Sequence, residues 1–248
     1  MLESAFGLLT TLGGISVLCG EHGFEAMNQM QLILASASPR RRELFTLTGL
    51  EAGYLSAEVN ERPQPEEDPI AFVTRLAEEK GREAAGRIGK GHLIIAADTI
   101  VVNHHQILGK PVDPADAKAI LSDLAGKSHQ AITSLAFINS GTGSVNTDLC
   151  ETAVPMRRYS IDEIDAYIST DSPLDKAGAY GIQDADFHPV EIEKMDGCYA
   201  NVMGLPLCHL TRTLKALGME PKSNVPEACR KFTNYDCTVY HQILDSQT

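Results

Sequence analysis

Apolar residues along this chain fall into short continuous runs and helical repeats, separated by polar segments that carry Gly or Pro. Leu32-Ile33-Leu34-Ala35 is one continuous run, consistent with a strand buried on both faces, and it ends at small polar residues before Pro39. Pro39 suits a first helical turn and Ser38 its cap, and Arg42, Glu43, Leu44, Phe45 and Leu47 continue the helical pattern until Gly49 stops it. Residues 60 to 68 are polar and proline-bearing, hence a loop, with Asp68 and Pro69 opening a helix that runs to about residue 85. On that helix Ile70, Val73, Leu76 and Ala77 are expected to face inward, with Phe72 on a flank and Lys80 one turn beyond Leu76. Residues 93 to 102 are the most strand-like stretch, read as interrupted at Ala96-Ala97-Asp98, and residues 103 to 106 turn it into a hairpin with Ile107-Leu108.

Further on, Asp113 and Pro114 begin a capped helix that ends at Leu124 and stops at Gly126. Strands are expected over residues 130 to 139 and 150 to 159, flanking the turn Gly141-Thr142-Gly143. Ser160 then caps an acidic helix over residues 161 to 169. Residues 205 to 217 give a final helix. From Lys222 onward the chain is polar, and Asn224 to Pro226 reads as a linker or terminal wrap.

The 248 residues, 43% hydrophobic and 22% charged, have ordinary globular composition and length enough for one large or two modest domains. A formal charge of −12 argues against polymeric nucleic acid and anionic membrane surfaces as partners, because both need clustered Lys and Arg. Residues 5 to 19 are mostly apolar but contain Thr10, Thr11, Gly13 and Gly14, follow Glu3, and fall short of the roughly 20 residues a membrane helix needs. They resemble neither a signal peptide nor an anchor, and residues 1 to 30 read as an extension. The six cysteines form no C-x-x-C pair, which suggests reduced thiols in the cytoplasm. Cys229, Cys237 and His241 match no common zinc spacing, and His104 and His105 belong to an exposed turn.

Four runs carry the chemistry: Ser-Ala-Ser-Pro-Arg-Arg from Ser36, Ala-Asp-Thr from Ala97, Gly-Lys-Pro from Gly109, and Asp-Lys-Ala-Gly-Ala-Tyr-Gly-Ile-Gln from Asp175 to Gln183. Arg40 and Arg41 fall in the first turn of a helix, where the macrodipole disfavours cations, so they point to an anionic ligand. Asp98 follows a buried apolar run and needs a cation, a proton-transfer role or a cap to fill. Pro111 holds the backbone extended beside Lys110, whose ammonium can reach a phosphate, while Lys80 is a second cation at a helix end. Gly178, Ala179 and Gly181 allow close backbone approach, and Tyr180 and Gln183 can stack on or hydrogen-bond a base. Glu61 is either solvated or a second carboxylate for a divalent ion.

Together with Val-Met-Gly-Leu-Pro at Val202 to Pro206, these runs resemble the Maf family of nucleoside triphosphate pyrophosphatases, also described as septum formation inhibitors, over roughly residues 31 to 218. The resemblance implies an α/β, two-lobed fold around an elongated mixed sheet with a central substrate cleft. It also implies a homodimer and a dependence on Mg²⁺ or Mn²⁺. By the same resemblance Asp98 matches the proton acceptor, Ser36, Arg40, Arg41, Lys80 and Lys110 match phosphate-contacting positions, and Glu61 matches an acidic position near the metal. Arg40, Thr99 and Gln183 match positions associated with base choice. The ending Ala-Tyr-Gly-Ile-Gln is similar to the branch acting on dTTP and UTP. Asn60 stands where many relatives carry an acid, and Asp184 replaces a usual glycine. The implied division is an extension (1–30), a pyrophosphatase domain (31–221) and a tail (222–248). The alternative reading is a non-catalytic nucleotide-binding regulator of cell division.

Overall fold

The computed structural model describes residues 30 to 245. The expected extension over residues 1 to 30 and the reading of residues 5 to 19 therefore lie almost wholly outside the described residues. Six strands form one mixed sheet: β1 (Gln31–Ala35), β2 (Ala52–Tyr54), β3 (His92–Asn103), β4 (Gln106–Leu108), β5 (Ser128–Asn139) and β6 (Val145–Pro155). Their order is β2-β1-β3-β5-β6, with β4 also on β3. β1 is parallel to β2 and β3, whereas β3, β4, β5 and β6 pair antiparallel. Eight α-helices accompany them among the described residues: α1 (Pro39–Thr46), α2 (Pro69–Ile88), α3 (Pro114–Leu124), α4 (Ile161–Ile168), α5 (Tyr199–Val202), α6 (Leu207–Ala216), α7 (Val225–Thr233) and α8 (Tyr240–Asp245).

Period-2 alternation divides the sheet's side chains between two cores. Ile33, Ile94, Ala96, Ile100, Ile132, Ala136 and Ile138 point to the face covered by α2. Leu32, Leu34, Leu93, Ile95, Leu135 and Phe137 point to the other, where α1, α3, α4 and the carboxyl-terminal helices pack. α2 lies unusually close to the sheet, because a Cβ at Gly81 would come 2.1 Å from Cδ1 of Ile138. Gly in a helix interior costs about 1 kcal/mol relative to Ala. The close approach it permits brings the neighbouring Lys80 against β3.

The caps follow the sequence signals. Ser38, Asp68, Asp113 and Asn224 each accept from first-turn amides, and Ser160 with Glu163 forms a reciprocal capping box. His104 and His105 both take positive φ, the geometry a two-residue hairpin requires, and both are exposed.

Several expectations need correction. β3 runs unbroken through Ala96-Ala97-Asp98, so Asp98 sits within a 12-residue strand rather than at its end. Pairing with β5 along that whole stretch supplies the hydrogen bonds that small residues do not forbid. On α2, Ile70 is 40% exposed and Phe72 only 4%, because the core-facing stripe starts at Phe72 and Val73, and the helix reaches Ile88 rather than residue 85. β6 begins five residues earlier than expected and ends at Pro155, with Asn146, Thr147 and Glu151 exposed and Thr152 buried. α6 is not the last helix: Asn224 caps α7, whose Val225 and Cys229 join the main core.

His129 on β5 is 3% exposed and shares a 2.8 Å hydrogen bond between its Nε2 and the Tyr180 hydroxyl. Burial pushes its pKa from the usual 6.5 down to about 4. The unfolded chain therefore takes up a proton that the folded chain refuses, and stability falls as pH drops from about 6.5 towards about 4. Chemical denaturation at pH 7.5 and 4.5 should show the wild type losing on the order of 2–3 kcal/mol more than His129→Gln across that interval. Equal losses in the two proteins would remove His129 as the cause.

Candidate active site

The cleft exists because β3 outruns β1. The last pair on that edge is Ala35 with Ala96, and β4 takes over only at Val101 with Leu108. Residues 97 to 100 thus have no strand beside them on one edge, while β5 holds the other. Into this gap opens a cavity of about 550 Å³. It separates a lobe carrying β1, β2 and α1 from one carrying β4, α3 and α4, with long strands running through both.

Alternation sends Asp98 and Thr99 to opposite faces of the gap. Asp98, 7% exposed, accepts from the Lys80 ammonium at 2.5 Å, and the same Nζ lies 2.6 Å from Oε1 of Glu61. One cation thereby bridges a buried carboxylate on the sheet and an exposed one on the loop before α2. Burial works to raise the Glu61 pKa, but the hydrogen bond and charge of Lys80, aided by Lys110 and Arg41, outweigh it and hold the carboxyl below its usual value.

On the other face, Arg41 donates through Nε to the Gly204 carbonyl at 2.8 Å and through Nη2 to the Thr99 hydroxyl at 2.9 Å. Behind Thr99 stands a relay of small polar groups. Its hydroxyl meets that of Thr133 at 2.9 Å, Thr133 donates to the Asn201 carbonyl, and Asn201 donates to the Ala131 carbonyl and the Thr152 hydroxyl, both at 2.9 Å. Burial lowers the Arg41 pKa, with Asp98 opposing that and Arg40 adding to it. Arg40 is more loosely held, 3.9 Å from the largely exposed carboxylate of Asp175 across the cleft.

Of the residues singled out from sequence, Arg40, Arg41, Glu61, Lys80, Asp98, Thr99, Lys110 and Gln183 all line this one cavity. Ser36 does not. It is 4% exposed, its hydroxyl accepts from the Ser38 amide, and its carbonyl accepts from the Arg42 guanidinium, so it shapes the start of α1. Tyr180 lines the cavity but is 5% exposed, and its hydroxyl is engaged by His129 rather than free for a base. Sequence reasoning missed Thr133 and Asn201, which lie in no unusual run. It quoted Gly204 within Val-Met-Gly-Leu-Pro without seeing that its carbonyl anchors Arg41.

Asp98 and Glu61, on either side of the Lys80 ammonium, are hard oxygen donors of the kind Mg²⁺ or Mn²⁺ prefers. Among the described residues no three His, Cys, Asp or Glu gather for a metal. This fits an ion held by one or two carboxylates together with the phosphates of a ligand.

Gly204 has φ +105°, and a Cβ there would lie 3.3 Å from both Arg41 Nε and Thr99 Oγ1. Gly204→Ala should lower the unfolding free energy by on the order of 1–3 kcal/mol, read from denaturant midpoints. A variant as stable as the wild type would show that the loop relaxes freely.

The profile of the family described as "Maf-like protein" matches residues 31–217. A dTTP/UTP pyrophosphatase of Dehalococcoides mccartyi is 43% identical over 195 residues, covering 79% of this chain and 86% of the relative. A dTTP/UTP pyrophosphatase of Citrifermentans bemidjiense is 41% identical over 192 residues, covering 77% and 98%. Among solved structures, a nucleoside-triphosphatase/dITP/XTP pyrophosphatase from Mycobacterium abscessus aligns with a TM-score of 0.35 and 16% identity, over 52% of this chain and 76% of that one.

Proposed function

The chain belongs to the Maf-like family, and from that premise we propose that it hydrolyses dTTP and UTP to the nucleoside monophosphate and pyrophosphate. The observation that carries this reading is the joining of a buried carboxylate, Asp98, and cations from three distant segments, Arg40 with Arg41, Lys80 and Lys110, in one cavity. A cavity of about 550 Å³ is the size of a small-molecule site rather than a polymer groove. A binding-only regulator would need the cations but not a desolvated carboxylate at the gap, and nothing favours it.

In this mechanism Asp98 holds a water and accepts its proton as the water oxygen bonds to phosphorus and the link between the α-phosphate and the terminal diphosphate breaks. Lys80 keeps the carboxylate oriented. Arg41, locked by Thr99 and Gly204, and the freer Arg40 and Lys110 bind the triphosphate and stabilise charge on the departing pyrophosphate. A divalent cation on Asp98 and Glu61 would supply further charge neutralisation on the phosphates. The five described cysteines are free thiols, which fits a cytoplasmic setting, and no described helix is long and apolar enough to cross a membrane. The family resemblance supports a homodimer.

Incubation with dTTP or UTP and Mg²⁺ should release pyrophosphate and the monophosphate together, and EDTA should stop the release until Mg²⁺ or Mn²⁺ is restored. Orthophosphate as the first product, or no turnover, would overturn the assignment. Asp98→Asn should lower kcat by on the order of 10² or more. Near-normal turnover by that variant would remove Asp98 from the chemistry.

A further inference from the structure

We propose that Lys176 is a positioning residue for the phosphate end of the substrate: by sharing the Asp175 carboxylate with Arg40, it leaves Arg40 free to move from that carboxylate to an incoming triphosphate. The inference rests on the reading that the cleft binds a nucleoside triphosphate, and deepens it by naming what sets the strength of that binding.

Lys176 lines the cleft, yet its side chain is only 8% exposed. An ammonium so far removed from water is costly unless its hydrogens are met. Its Nζ donates to the Ser172 carbonyl at 2.5 Å and the Ser172 hydroxyl at 2.6 Å, and lies 3.2 Å from Oδ2 of Asp184 and 3.3 Å from Oδ1 of Asp175. Asp184 is itself held by the hydroxyls of Tyr167 and Ser172. The backbone around Lys176 is pinned as well. Its amide donates to the Pro173 carbonyl at 3.2 Å, its carbonyl accepts from the Ala179 amide at 3.0 Å, and the Gly178 amide donates to the Gly109 carbonyl at 3.1 Å. Lys176 is therefore a fixed charge rather than a mobile arm.

Asp175 has the opposite character. Its side chain is 69% exposed, with Oδ1 towards Lys176 and Oδ2 3.9 Å from Nη1 of Arg40. Arg40 belongs to α1 on the far side of the cleft, so Asp175 is the counterion that a triphosphate must displace to recruit it. An exposed ion pair of that length is weak. The fixed ammonium weakens it further, because it draws the carboxylate towards itself and cancels part of its charge. Without Lys176, Arg40 is the remaining ion-pair partner of Asp175, and the pair tightens across the cleft. The cost then falls on substrate affinity, because the chemical step turns on Asp98.

The test measures calorimetric binding of the non-hydrolysable α,β-imido analogue of UTP, with KM and kcat for UTP, in the wild type, Lys176→Met, Asp175→Asn and the double variant. Lys176→Met should weaken binding and raise KM about fivefold with kcat within about twofold of wild type, and adding Asp175→Asn should bring both back to within about twofold. A purely structural role for Lys176, or direct contact between its ammonium and a phosphate, gives the same loss with or without Asp175. That result, or unchanged binding by Lys176→Met, would overturn the proposal. Should Lys176→Met fail to fold, the exposed Asp175 supplies the second measurement. Asp175→Asn alone should bind the analogue about twofold to threefold more tightly, since Arg40 loses its counterion, and binding equal to or weaker than wild type would overturn the proposal. So would a wild type that does not bind the analogue. The expected binding pattern without release of pyrophosphate from UTP would sink the pyrophosphatase reading while leaving this one standing.

Discussion

A strand that extends beyond its neighbour leaves an edge of unpaired backbone, and side chains there meet a cavity instead of a packed core. In this protein the stretch of β3 between the end of β1 and the start of β4 is such an edge, and every cationic segment that lines the cleft is oriented by it. α1 starts where β1 stops, which puts Arg40 and Arg41 at the mouth. The return of β4 leads directly into Gly109 and Lys110. Glycine at position 81 lets α2 lie close enough for Lys80 to reach Asp98. The site is thus a consequence of strand lengths, with the side chains added where those lengths leave room.

Charge within the cleft is balanced locally although the chain as a whole is strongly acidic. Lys80 is shared by Glu61 and Asp98, and Arg40 leans towards Asp175, so the resting site carries its own counterions. Arg41 differs, since its closest partners are a carbonyl and a hydroxyl rather than a carboxylate. A guanidinium desolvated against neutral acceptors keeps its full charge available to an incoming anion. Loosely paired Arg40 and Lys110 can follow the triphosphate, whereas Arg41 gives it a fixed point.

Much of this was legible in sequence, for identifiable reasons. Helix starts were readable because each cap is a local interaction between residues three apart, as at Ser38, Asp68, Asp113 and Ser160. The cavity-lining set was readable because its members stand in short runs of unusual composition. Ser36 shares such a run but turns inward to brace α1, and composition cannot separate a ligand contact from a structural one two residues away. The unbroken course of β3 was hidden because Ala96-Ala97-Asp98 lacks strand propensity and is held by β5, some forty residues later. The helices after residue 222 were hidden for the converse reason. α7 is held by docking Val225 and Cys229 into a core assembled by other segments, and α8 buries no residue of its own.

Two polar networks flank the cleft. Arg41 depends on Thr99, Thr133, Asn201 and Thr152, a chain of neutral hydrogen bonds running from the gap through β5 to β6. Asp184, Lys176, Tyr167 and Ser172 form a second, charged network anchored on α4 in the opposite lobe. The two networks are built from different residues, yet Lys176 also lies 3.3 Å from Asp175, the carboxylate that faces Arg40. A change at Lys176 can therefore reach Arg40 through Asp175, whereas Arg41 is fixed by Thr99 and Gly204 on the other face of the gap.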